Sequence, residues 1–190
     1  MGKLLENLTT TIVIGVILAV LLMMEPSYAL APGAADRAIG VFQWLHVFFG
    51  ITWIGLLYYF NFVQIPVMPT VPAELKPGVS KYIAPKALFY FRWAAVFTVI
   101  TGATLGWLYG ELTQALTLQA PQRLIGIGMY LALIMAINVW AVIWPNQQKV
   151  LGLVEADDAA KAKAGRIAML ASRTNVLLSI PMLLAMTNYR

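Results

Sequence analysis

Apolar runs long enough to cross a bilayer constrain this chain more than any other feature. They are Leu8–Met24, Ala38–Gln64, Ala87–Leu112, Leu124–Trp144 and Gly165–Met186. Each is about 17–27 residues, against the roughly 20 that a helix needs to cross the hydrocarbon core. Lipid offers no hydrogen bonds to a backbone, so such runs have to be helical. Charged residues make up only 11% of the chain, whereas a soluble domain carries about a quarter. The expected fold is therefore all-α: an integral membrane four-helix bundle over residues 38–190, preceded by an N-terminal transmembrane helix and linker over residues 1–37. The total is five spans.

The first run permits two readings. Lys3, the apolar stretch "TTTIVIGVILAVLLMM" and the small-residue site "SYA" at Ser27–Ala29 fit a signal peptide. The stretch is a little longer than a usual signal core, which favours a retained helix.

Basic residues set the orientation. With the N-terminus inside, nine of them fall inside: Lys3, Lys76, Lys81, Lys86, Arg92, Lys149, Lys161, Lys163 and Arg166. Three fall outside: Arg37, Arg123 and Arg190. The expected topology is N-terminus in the cytoplasm and C-terminus outside. The net charge of +5 is spread between apolar runs rather than gathered, so it points to topology and not to nucleic acid.

The absence of cysteine excludes disulfides, thiolate metal sites and covalent haem attachment. A single histidine, His46, excludes a multi-histidine metal site within one chain. No internal repeat, phosphate loop or nucleophile motif is present.

Two connections lie on the inner side. The first holds Pro66, Pro69, Pro72, Pro77 and Pro85, which predicts an extended, semi-rigid loop. The second begins with a helix stop at Pro145 and continues as a short surface helix feeding the last span.

In a membrane, polar and small side chains mark the faces turned toward protein. Gln43, His46, Gly50, Asn61 and Gln64 repeat near a period of 3.6, so His46 should point into the bundle. Ala94, Thr98, Gly102 and Gly106 form a ladder at spacings of four, able to admit a helix or a flat ligand. Gly126, Gly128 and Asn138 follow on the fourth span. On the fifth come Ser172, Asn175 and Ser179, with Arg173 beside them and Pro181 as a kink. Arg92 and Arg173 near the span ends either snorkel to lipid phosphate or bind an acidic group inside the bundle, because a guanidinium matches a carboxylate with paired donors.

Several stretches carry a resemblance. "WLHVFFGITWIGLLYYF" (Trp44–Phe60), "FYFRWAAVFTVITG" (Phe89–Gly102), "IWPNQQK" (Ile143–Lys149) and "SRTNVLLSIPMLLAM" (Ser172–Met186) resemble the N-terminal membrane domain of the bacterial membrane-bound urate oxidase family. Together they cover most of the chain after Ala38; the first run lies outside. The His46 helix is also distantly similar to the membrane protoporphyrinogen oxidase family, small bundles that bind haem b through a helix histidine.

The resemblance implies a bacterial inner-membrane, multi-pass protein with redox chemistry. Full-length members of the urate oxidase family carry a C-terminal cytochrome c domain. These 190 residues contain no such domain, so the expected electron acceptor is a separate soluble or membrane cytochrome c. On this reading His46 is the metal ligand of haem b, and the cofactor site comprises His46, Arg92, Arg173, Gly102, Gly106 and Asn175. One histidine gives a five-coordinate haem or, in a homodimer, one ligand from each chain; Met182 and Met186 are further candidates for the sixth position.

Two other readings stand beside it. In one, the chain is a non-catalytic accessory subunit of a larger respiratory or photosynthetic membrane complex, and His46 is a core residue bonded to Asn138, Asn175 or a serine. In the other it is a small transporter lined by Asn61, Arg92, Asn138 and Arg173, although the internal repeat that transporters show is missing.

Overall fold

The computed structural model describes residues 6–24 and 33–188. The described residues form helices, turns and connections, with no strand among them. The chain divides into two compact units, residues 1–41 and 42–190.

The first unit contains α1 (Leu8–Met23), whose first turn is capped by Asn7 Oδ1 accepting from the Thr10 amide at 3.2 Å. At 16 residues it is about 24 Å long, within one residue of the expected run. The proposed cleavage site at Ser27–Ala29 lies outside the described residues, as do Lys3 and Arg190.

The second unit is built from four long apolar helices: α2 (Asp36–Thr70, whose opening turns belong to the first unit), α3 (Lys76–Leu108), α5 (Arg123–Val150) and α6 (Asp158–Thr187). The short α4 (Leu112–Leu116) sits between α3 and α5. Short connections make sequential long helices antiparallel. The junctions at residues 71–75 and 151–157 therefore share one end of the bundle, and α4 lies at the other.

The helices overshoot their apolar runs mainly at the first of these ends, where the structure corrects two expectations. The proline-rich connection is not an extended loop. Helical turns occupy residues 65–70 and 76–86, leaving only residues 71–75 between α2 and α3. Pro145 does not stop its helix either; α5 continues to Val150.

The physical reason is the same in both places. Three π-turns, Tyr59–Gln64, Val79–Ile83 and Val139–Ile143, are each followed by a proline in the second position: Pro66, Pro85 and Pro145. The residue before each proline, namely Ile65, Ala84 or Trp144, donates its amide to a carbonyl five residues back, on Phe60, Val79 or Val139. Proline has no amide hydrogen, and in a regular α-helix its ring collides with the carbonyl four residues earlier. Widening the preceding turn makes room for the ring, so the helix passes through. The last helix likewise runs through Pro181.

Polar side chains share the core with a larger set of apolar ones. On α6 the buried residues Ala164, Ala168, Ser172, Asn175, Ser179, Met182 and Ala185 recur at threes and fours, giving a narrow face of mostly small side chains against α5. Trp53, Leu57, Phe91, Met135 and Val139 fill the space between helices and are essentially inaccessible. Large apolar side chains such as Trp107, Ile137, Leu177 and Ile180 face outward.

Candidate functional site

Two polar stations stand out within the second unit. The first is His46 on α2. Its Nδ1 lies 2.9 Å from the Thr98 carbonyl oxygen and 3.2 Å from Thr101 Oγ1, both on α3. A carbonyl can only accept, so Nδ1 is the donor, and in a neutral ring Nε2 then carries the lone pair. Among the described residues nothing hydrogen-bonds to Nε2.

The carbonyl of Thr98 is free for this contact without unravelling α3, since an oxygen has two lone pairs. The Thr101 hydroxyl also bonds back to the Phe97 and Thr98 carbonyls. The ring is seated on Gly102, where a Cβ would stand 2.8 Å from His46 Cε1. Only glycine leaves that space. Phe49 and Phe97, next to these residues on α2 and α3, stack at 4.9 Å.

The second station is Arg92 on α3, sixteen residues from either end of that helix. Its side chain is largely buried: Cζ lies 3.3 Å from the centre of the Trp144 ring and 5.8 Å from that of Trp140. Nε and Nη1 are both buried, with no acceptor among the described residues. Two π-turns reach toward this level. One carries Trp140, with Trp144 directly after it; the other carries Phe60, Asn61 and Gln64. Phe60 meets Phe91, the neighbour of Arg92, edge-on at 5.7 Å. Such turns are frequent at functional sites.

Asparagine and serine hydrogen bonds tie other parts of the interior together. Asn138 Nδ2 donates to Asn175 Oδ1 at 2.7 Å and to the Ala171 carbonyl at 2.9 Å. Asn175 Nδ2 donates to the Met135 carbonyl at 3.1 Å. Asn61 Nδ2 donates to Ser172 Oγ at 2.7 Å, and Tyr58 and Ser179 share a hydroxyl bond at 3.0 Å.

Of the six residues expected to form one cofactor site, only His46 and Gly102 meet. Arg92 is ten residues from Gly102, about 15 Å along α3. Gly106 is covered by Leu112, whose Cδ1 would be 3.2 Å from an added Cβ. The glycine ladder therefore seats protein side chains rather than offering an open ledge. Asn175 is engaged with Asn138 and the Met135 carbonyl. Arg173 is exposed, because one residue past Ser172 turns it about 100° off the buried stripe.

Further corrections concern individual side chains. Gln43 is exposed rather than inward, and the partner of His46 is a backbone carbonyl on α3 instead of Asn138, Asn175 or a serine. Met182 is buried in the core, while Met186 places its methyl 3.4 Å from where a Cβ on Gly128 would stand. Trp140 and Trp144, which wall Arg92, were not anticipated; their spacing of four, ending against Pro145, is the signal that could have found them.

No group of three or more His, Cys, Asp or Glu side chains able to hold a metal ion occurs among the described residues. The His46 station thus offers one ligand atom and no more.

A family model, Urate oxidase N-terminal, matches residues 111–189. The match takes in α5 and α6, with Asn138, Trp140, Trp144 and Asn175, and leaves His46 and Arg92 outside. No curated protein and no solved structure matches the chain.

Proposed function

We propose that this chain is an integral membrane helical bundle that binds haem b through His46 and serves electron transfer, in keeping with its partial likeness to the N-terminal part of urate oxidase. The observation that carries the proposal is the Nδ1 contact of His46 with the Thr98 carbonyl. Metal-bound imidazoles characteristically donate their second nitrogen to a carbonyl or carboxylate, which fixes the ring and presents the other nitrogen as ligand. Haem is the metal form that suits this site, because the porphyrin supplies four nitrogens and a single imidazole can complete an axial position.

The membrane setting is supported by an apolar exterior around a core that also holds polar side chains. Asn61, Arg92, Ser172, Asn175 and Ser179 are buried, while large apolar residues cover the outside. Basic residues on the helical overhangs, among them Lys76, Lys81, Lys86, Lys149, Lys161 and Lys163, favour placing that end in the cytoplasm of a bacterial inner membrane.

Each residue at the His46 station has a definite part. His46 supplies the ligand nitrogen, Thr98 and Thr101 hold the ring, Gly102 leaves room for it, and Phe49 with Phe97 keeps an apolar wall nearby. A bound haem b would contribute a one-electron iron centre. Its redox partner would be a separate cytochrome c, and a second copy of the chain could supply a second axial histidine.

The test is the visible absorption spectrum and iron content of the purified protein, with and without His46→Ala. The expected result is a Soret band in the wild type that is lost or displaced in the variant. A protein with neither Soret band nor iron, or an unchanged haem spectrum in the variant, would overturn the proposal and leave the accessory-subunit reading.

A further inference from the structure

Arg92 is 9% exposed, and its Nε and Nη1 find no acceptor. Trp144 and Trp140 satisfy the face of the guanidinium, since an aromatic ring attracts a cation above its plane. They do nothing for the in-plane N–H groups, which need oxygen or nitrogen acceptors. Within the four long helices the only acidic residues are Asp36 and Asp158, each at a helix start. Among the described residues of the four long helices this largely buried cation therefore has no carboxylate partner, an arrangement that is costly unless something else supplies one.

We propose that Arg92 is the seat of a carboxylate brought by a ligand that enters between α2, α3 and α5. One cation with no second basic side chain against it suits a monoanion rather than a phosphate dianion. The flanking indoles and Phe91 suit an apolar body behind the acid group. Asn61 Oδ1 and Gln64 Oε1, both buried and unpartnered on the neighbouring π-turn, offer acceptors to any hydroxyl or N–H that the ligand carries. The π-turns at Tyr59–Gln64 and Val139–Ile143 border this level. The inference goes beyond haem binding and stands without it.

The carboxylate can arrive from water or from the lipid phase, and the test separates the two. Haem-free protein in detergent is titrated with benzoate and, in parallel, with laurate, following intrinsic tryptophan fluorescence. Trp144 lies against Arg92, so occupancy should give a saturable change. A response to benzoate identifies a water-borne acid; a response to laurate alone identifies a lipid-borne one. Arg92→Gln should abolish the response, and the exposed Arg173→Gln should leave it intact. If Arg92→Gln fails to fold, Arg92→Lys serves: it keeps the charge but loses the planar stack, and should weaken binding at least about tenfold. No saturable response from the wild type to either acid, or an equal response from the Arg92 variants, would overturn the proposal.

Discussion

The two polar stations of the second unit solve opposite problems. His46 is half-buried and fully oriented, with Nδ1 fixed by the Thr98 carbonyl, the ring seated on Gly102 and one nitrogen left over. Arg92 is more deeply buried and electrostatically incomplete, with a tryptophan on its face and, among the described residues, no acceptor for Nε or Nη1. The first station is prepared to give a lone pair, the second to receive a negative charge. About 15 Å of helix separates them, so they are better described as two sites on one scaffold than as a single cofactor pocket.

The contrast can be broken at either side. The largest effect is expected at Trp144→Ala, which removes both the stack on Arg92 and the packing around it. A loss of about 2–3 kcal/mol should appear as a lower unfolding midpoint in detergent. A midpoint within a degree of wild type would show that Arg92 does not depend on that indole. Next comes Gly102→Leu, which drives a side chain into the imidazole and should cost about 1–3 kcal/mol by overpacking. It should also displace any haem signal that depends on His46. An unaltered spectrum with undiminished stability would mean that the ring does not sit on Gly102. The smallest effect belongs to Arg173→Gln on the outer face, which should change stability by no more than about 0.5 kcal/mol. A drop several times larger in the same unfolding assay would place Arg173 inside the bundle after all.

Much of the fold was legible because burial in a helix repeats. Ser172, Asn175 and Ser179 were expected inward from their spacing, and all three are buried. Asn61 and His46 likewise turn toward the bundle. The same periodicity explains the two exposed exceptions. Gln43 lies three residues from His46, which rotates it about 60° off the stripe, enough to leave it exposed. Arg173 is displaced further still.

The prolines misled for a different reason. A proline in sequence signals a break, but a π-turn just before it removes the clash, and that compensation belongs to the backbone of six residues at once rather than to any one of them. The partner of His46 was hidden too. A backbone carbonyl leaves no mark in the sequence, whereas the asparagines suggested as partners were conspicuous and are bonded to one another. The lack of a counter-ion for Arg92 was legible in principle, since no acidic residue falls within α3 or α5. That Arg92 would be buried required the helices to be assembled.

Because the chain has a single histidine, selective ¹⁵N-histidine labelling gives one pair of ring-nitrogen signals, assignable without ambiguity. In the haem-free protein Nδ1 is expected to be protonated and Nε2 bare, and added haem should perturb the Nε2 signal most. A ring protonated at Nε2, or one indifferent to haem, would contradict this expectation.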